Sequence, residues 1–246
     1  MIEIITDIKD LIQFVLEIRK EFRGEIWWRG QGNINWKLQP SISRTGNNCI
    51  SESNLNVRFM ARAPSRCLNV PNQEDFLNWL FLMRHHGLPT RLLDWTESPL
   101  IACFFAVEQQ DCNNFDGSIS VLNPYLLDKS QFGAEVVFSP ISKIANRFAI
   151  PAFDASVDDY EKIYSVYPNE INPRMLNQMS VFTIHGNGIA LEDLPDKDNY
   201  LRRIRIKKES KAKIYEQIDL LGIRESNLFP DLDRLSSYLK KIVKVN

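Results

Sequence analysis

The chain has 246 residues, 44% of them apolar, which suits one large domain with a sizeable core. Its 30 basic and 31 acidic residues leave a net charge of −1, so the molecule as a whole has no field to hold nucleic acid, and any such contact must come from a local patch. No apolar run approaches the ~20 residues that span a bilayer, and the N-terminal MIEIITDIKDLIQFV lacks the marks of a secretory leader, so the expectation is a soluble cytoplasmic protein with no membrane partner.

In chain order, Thr6 or Asp7 can cap an amphipathic helix whose apolar residues, Ile8 to Ile18, keep helical spacing; it runs to about Arg23, and Gly24 ends it. Residues 25–30, EIWWRG, are aromatic and β-prone and read as a strand with Gly30 at a point of close approach, followed by a loop over 31–44. Helices are predicted over 51–63 and from Asn72 onward. The stretch 82–107, LMRHHGLPTRLLDWTESPLIACFFAV, organises the rest. Gly87 and Pro89 predict an irregular loop carrying Arg91, Asp94 and Trp95. Pro99 in a first turn, capped by Thr96 or Ser98, predicts a helix to Glu108 that is apolar all round.

Beyond that helix, SISVLNP reads as a strand ended by Pro124, and 134–139 as a second. A short helix is read near 160–166, within an irregular stretch over 140–170. Residues 172–185 read as a loop or short helix entering a strand at 181–184, and 199–206 alternate as another strand. A charge run covers 207–213, with helices at 211–221 and 232–243. Cys49, Cys67, Cys103 and Cys112 are scattered without CxxC spacing, which favours reduced thiols over a disulfide scaffold or a zinc site. With no repeats, one α+β domain over 1–246 is the economical reading.

Several side chains stand out for chemistry. Arg29 follows two tryptophans and reads either as a planar fork for an anion or as the partner of Asp94 or another carboxylate. Asp94 and Arg91 read as a local ion pair, and Trp95 either as a stacking platform or as an interior residue. Thr96 and Ser98 read as ribose contacts, as helix caps, or as both. His85, His86 and His185 have no HExxH or cysteine partner, so no metal is expected. The basic run of Arg202, Arg203, Arg205, Lys207, Lys208, Lys211 and Lys213 is a phosphate contact or an edge strand kept solvated by charge. No GxSxG, P-loop or GxGxxG is present.

WWRGQ (27–31), RHHGLPTRLLDWTESPLIACFFA (84–106), RMLNQMSVFTIHG (174–186) and IRESNLFPDLDRL (223–235) together, in this order, resemble the FRG domain family. That family is named for an aromatic-Arg-Gly motif, here Trp28-Arg29-Gly30. More loosely, the pattern is similar to mono-ADP-ribosyltransferases of the Arg, Ser-Thr-Ser, Glu type. In those an aromatic-Arg-Gly strand is followed by a strand with Ser and Thr ahead of an A-x-x-F-A-like helix, matched here by Thr96, Ser98 and residues 102–106. A third strand carries a catalytic Glu, whose nearest equivalent here is Gln178.

The resemblance implies an α+β ADP-ribosyltransferase-like split β-sheet core with flanking helices, NAD as cofactor, and transfer of ADP-ribose to a macromolecular target, RNA or DNA. It also implies a toxin or anti-phage role and an antitoxin protein as partner. By the same resemblance Arg29, Gln178 and Thr96 are catalytic, and Arg29, Gly30, Gln31, His86, Arg91, Trp95, Thr96 and Ser98 contact NAD. The chemistry requires a bent dinucleotide and an environment that stabilises positive charge growing at the ribose. An amide at Gln178 can bond ribose hydroxyls but brings no such charge. The alternative expectation is an FRG module that binds a nucleotide or a partner without catalysis.

Overall fold

The computed structural model describes residues 3–44, 49–108, 112–169, 173–186 and 188–243; residues 170 and 172, which bound two of the stretches read above, lie outside them. After the short β1 (Ile4–Ile5), α1 (Ile8–Glu21) starts on a reciprocal cap, with the Asp7 carboxylate taking the amides of Lys9 and Asp10 and Asp10 returning the bond to Asp7. Its apolar stripe buries Leu11, Phe14 and Ile18. Then come β2 (Trp27–Gln31), α2 (Ser41–Arg44), α3 (Cys49–Arg62) and α4 (Phe76–His85). Next are β3 (Leu92–Thr96) and α5 (Pro99–Val107), the latter capped by the Ser98 hydroxyl on the Ile101 amide, with Pro99 in the first turn. The chain continues through β4 (Gly117–Leu122), α6 (Pro124–Phe132), α7 (Lys143–Ala149), β5 (Ile163–Val166), α8 (Pro173–Asn177) and β6 (Ser180–His185). It ends with β7 (Leu201–Ile206), α9 (Lys211–Leu220), α10 (Glu225–Leu228) and α11 (Leu232–Val243). Among the described residues no helix is long and apolar enough to cross a membrane.

The seven strands form one mixed sheet in the order β1-β7-β4-β2-β3-β6-β5, antiparallel except for β1 against β7. One face packs on α1, α5 and α9 through Trp28, Ile119, Val121 and Ile204, and on α4 and α7 through Phe182, Ile184 and Tyr164. The other buries Trp27, Leu93, Trp95, Leu122 and Val181 under α6 and the irregular segments around Leu38 and Leu191. The strands in the middle are unevenly joined. β2 pairs with β4 over five residues, but with β3 only at Trp28 opposite Thr96, whereas β3 pairs with β6 over its whole length. The sheet is therefore splayed between β2 and β3.

Some expectations need correcting. Residues 92–96, read as an irregular loop, form a central strand, because five consecutive pairings to β6 outweigh the local Gly and Pro signals. Residues 163–166, read as helix, are an edge strand, and 134–139, read as a strand, contribute only a bridge from Phe138 to Val166. Pro124 does end β4, but it also occupies the first turn of α6, which Asn123 caps. β7 is an edge strand over residues 201–204 only, since β1 covers its last two residues, Arg205 and Ile206.

Burial leaves one carboxyl far from its ordinary state. Asp128 on α6 accepts from both the amide and the hydroxyl of Ser165 on β5, and burial pushes its pKa up to about 8 against that pull. The folded state thus holds a proton that the unfolded chain, with a carboxyl near 4, has released, so stability declines as pH rises from about 4 to about 8. Burial also draws His185 down to about 4, which costs stability as pH falls from about 6.5 to about 4 and offsets the Asp128 effect there. Between pH 6.5 and 8 Asp128 acts without that offset. The denaturation midpoint is expected to fall across this window in the wild type and to stay level in Asp128→Asn. Parallel slopes for the two proteins would refute the assignment.

Candidate functional site

The alternation of β2 sends Trp27, Arg29 and Gln31 to one face and Trp28 and Gly30 to the other. At Gly30 an added Cβ would stand 1.7 Å from the Ala102 carbonyl oxygen, so the absent side chain lets α5 lie against the sheet. The close approach read from the sequence is real, but the backbone that approaches is α5 rather than a ligand. Arg29 reaches across the splay and donates through Nη1 to the carbonyl oxygen of Asp94 on β3, with the Asp94 carboxylate 3.7 Å away. Its Nε is buried with no partner, as is Oγ of Ser120, which sits directly opposite on β4.

Asp94 gathers further cations. Arg84, at the end of α4, holds it through Nε at 3.0 Å and Nη2 at 2.5 Å, and places its Nη1 3.2 Å from the Ser41 hydroxyl. Arg44 and Arg174 lie within reach of this group's field: burial, with the nearby Arg84 charge, lowers both of their pKa values, and Asp94 opposes. Burial alone would raise the Asp94 carboxyl, but Arg84 and Arg29 outweigh it and hold the group ionised, at about 2. Burial likewise lowers Arg29 to about 10, which leaves it charged at neutral pH. Two guanidinium groups, Arg29 and Arg84, therefore lie within 4 Å of one carboxylate, with Arg44 and Arg174 near enough to feel its charge, and that carboxylate keeps 35% of its side chain exposed. Between α4, α8 and β6 this opens as a cleft of about 160 Å³, where Arg84, Asp94, Arg174 and Gln178 provide the polar walls. Gln178 points its amide nitrogen at the carbonyl oxygen of Leu228, 3.0 Å away.

Of the residues read from the sequence, Arg29 bonds Asp94 across the splay and Gln178 lines the same cleft as Asp94, and the others lie elsewhere. Thr96 is buried and its hydroxyl takes the Ser98 amide in a local turn, while Ser98 caps α5, so both hydroxyls are spent on the entry to the helix. Trp95 is interior: its indole N–H donates to Thr183, whose hydroxyl bonds Nε2 of His185, while the Nδ1 of that ring faces the Ile189 carbonyl oxygen. Gln31 is buried, accepting from Arg203 and donating to the Lys37 carbonyl oxygen. Arg203 also bonds Ser118 and the Trp36 carbonyl oxygen, and Lys211 turns its ammonium inward to the carbonyl oxygens of Gly32 and Cys112, so these two members of the basic run are structural.

Arg91 does not pair with Asp94. It forms a fork on Glu52 of α3 and a bond to Asp159, with all three side chains nearly enclosed. His86 ends α4 and faces away from the cleft toward Phe59, with ring centroids 6.4 Å apart. Arg44, Arg84 and Arg174 escaped the sequence reading because they arrive from three separate helices. The one available signal was Arg84 standing ten residues before Asp94 across a Gly-Pro turn. Among the described residues no group of three or more His, Cys, Asp or Glu is placed to hold a metal ion.

Comparison with known proteins gives one family. Residues 24–114 match the family model described as the FRG domain, a span that takes in β2, α4, β3 and α5 and stops ahead of β4, Arg174 and Gln178. No curated protein and no solved structure matches the chain. With Trp28-Arg29-Gly30 at the splay of the sheet and the 84–106 block building the wall opposite, residues 24–114 are the part of the chain that matches the FRG domain.

Proposed function

We propose that the cleft binds the phosphates of a dinucleotide such as NAD, and that the chain is an ADP-ribosyltransferase acting on a macromolecular target, RNA or DNA. The observation that carries this reading is the surplus of guanidinium groups at the β2–β3 splay, where Arg29 keeps a buried Nε with no partner. Planar, permanently charged forks held by packed elements suit a pyrophosphate. The splay also fits the split core expected of an ADP-ribosyltransferase-like fold. NAD supplies the ADP-ribosyl group and loses nicotinamide.

Within this reading Arg29, Arg84 and Arg174 hold the phosphates and fix the dinucleotide's orientation. Gln178, its amide nitrogen committed to Leu228, presents its carbonyl oxygen to a ribose hydroxyl. The negative charge that Gln178 lacks comes from Asp94, ionised at neutral pH and exposed to the cleft. The walled volume is below the ~300–1,000 Å³ of a site enclosing a drug-sized ligand, so it takes one end of the dinucleotide. Free thiols at Cys67 and Cys103 support a cytoplasmic setting. There a toxin or anti-phage role, with an antitoxin as restraint, is the family-based extension.

The test is calorimetric titration with NAD, followed by incubation with labelled NAD and cellular RNA, DNA and protein. Arg29→Ala is expected to weaken NAD binding at least tenfold and to abolish label transfer. A second reading, a nucleotide-binding module without catalysis, is favoured by one feature: the one carboxylate that lines the cleft among the described residues is already paired with Arg84 at 2.5 Å. NAD bound without nicotinamide release would select that reading. No NAD binding at all would remove both.

A further inference from the structure

Beside α3 runs a groove of about 600 Å³ with an apolar floor that includes Phe59 and Leu82, and with Arg58, Arg62 and Arg66 along its rim. These arginines are exposed and recur every four residues, so along the helix and the turn after it they stand about 6 Å apart. Ion pairs among the described residues involve none of the three; Arg66 bonds only the Arg62 carbonyl oxygen and the Ser65 hydroxyl. Other exposed cations of the chain, such as Lys37, Lys129 and Lys213, do have carboxylate partners. A row left uncompensated over an apolar floor calls for an anionic ligand that also has flat apolar faces.

The groove does not stop at the helix. His86 closes its end and also lines an adjoining hollow of about 780 Å³ together with Arg66 and His85. His85, with ring centroid 4.8 Å from that of His86, is in turn a wall of the cleft that holds Arg84, Asp94 and Arg174. Its Nδ1 is buried without a partner at this junction. From Arg58 to Arg174 the groove, the hollow and the cleft thus adjoin in series through His86 and His85, with arginines at both ends and the Phe59, His86 and His85 side chains along them.

We propose that this surface is a track for single-stranded nucleic acid: phosphates follow the Arg58, Arg62, Arg66 row, bases lie against the Phe59 and histidine rings, and the strand runs to the cleft. This deepens the reading of the cleft as a transferase site and rests on it for what happens at the far end. A duplex keeps its bases stacked inside and could use only the arginines, so the apolar floor favours a single strand. An acidic amphipathic helix from a protein would also suit the groove, but it would leave the histidine passage and the cationic cleft beyond it unused.

The experiment is fluorescence anisotropy of labelled single-stranded 12-mers of RNA and DNA, and of the same sequences as duplexes, with the full chain. Arg58→Ala/Arg62→Ala/Arg66→Ala alters only exposed side chains, so folding is preserved and NAD binding is expected to stay unchanged. Kd for the single strand should rise at least tenfold, and the slope of log Kd on log salt should fall by about 2. Phe59→Ala should weaken single-strand binding and leave any duplex binding as it was.

Equal affinity of wild type and triple variant for the single strand overturns the proposal, as does tighter binding of a Glu-rich amphipathic peptide than of any oligonucleotide. The two readings fail separately. Arginine-dependent strand binding without NAD binding retains the track and discards the transferase, whereas NAD turnover with strand affinity indifferent to the three arginines does the reverse.

Discussion

Gly30→Ala is expected to yield no stable folded protein. The added methyl would sit 1.7 Å from the Ala102 carbonyl oxygen and 2.7 Å from the Ala106 amide nitrogen, and both are backbone atoms of a buried helix that cannot rotate aside. Relief requires lifting α5 from β2, which exposes Trp28, Ile101 and Phe104 in the largest cluster of the core. The cost exceeds the ~1–3 kcal/mol of ordinary overpacking and takes up much of a total stability of about 5–15 kcal/mol. Soluble yield and urea denaturation measure it, and a midpoint within about 1 kcal/mol of wild type would contradict the packing described. Gly87→Ala is the control. Its φ of +80° disfavours a side chain, but nothing lies within 4 Å, so a loss of about 1–2 kcal/mol is expected.

Arg91→Met is expected to cost about 3–5 kcal/mol, the penalty of stranding buried charge. The guanidinium lies 2.7 Å from Glu52 and 2.9 Å from Asp159, with its own side chain 3% exposed and those of Glu52 and Asp159 5% and 9%. Burial by itself would lower the Arg91 pKa, yet the two carboxylates more than reverse this and hold the proton more firmly than in water. Removing the cation leaves both acids enclosed. The deficit should therefore shrink by more than half when Glu52→Gln and Asp159→Asn are added to Arg91→Met, as read by chemical denaturation. A single variant within 1 kcal/mol of wild type, or a triple variant no better than the single, would show that the triad carries little energy. The triad also ties α3 to the segment that enters β3, and so fixes Arg58 and Arg62 of α3 relative to the cleft.

What could be read from the residues follows from where the information sits. α1, β2 and α5 announce themselves locally, through the Asp7 and Asp10 cap, the EIWWRG run, and Ser98-Pro99 ahead of eight apolar residues. β3 and β5 do not, because LLDWT and IYSV are too short to declare a period and become strands through long-range pairing with β6. α6 was hidden because one proline serves both to end a strand and to open a helix. The same division holds in the site. A charge following two tryptophans marked Arg29, but an electrostatic cluster drawn from α2, α4 and α8 has no linear signature. The turn at Thr96 and the cap at Ser98 use the same residue types as a ribose contact, and only the direction of the hydroxyl separates the two uses.

Where β2 leaves β3, the central seam of the molecule is fastened by a side chain in place of a backbone ladder. Amides bordering that seam have few rungs to break before they meet solvent, so their hydrogen exchange should outpace that of the β4 and β6 interiors. An anion competing for the Arg29 guanidinium pulls on the fastening itself. Its capture would then register as altered protection along both half-sheets, well beyond the atoms it touches.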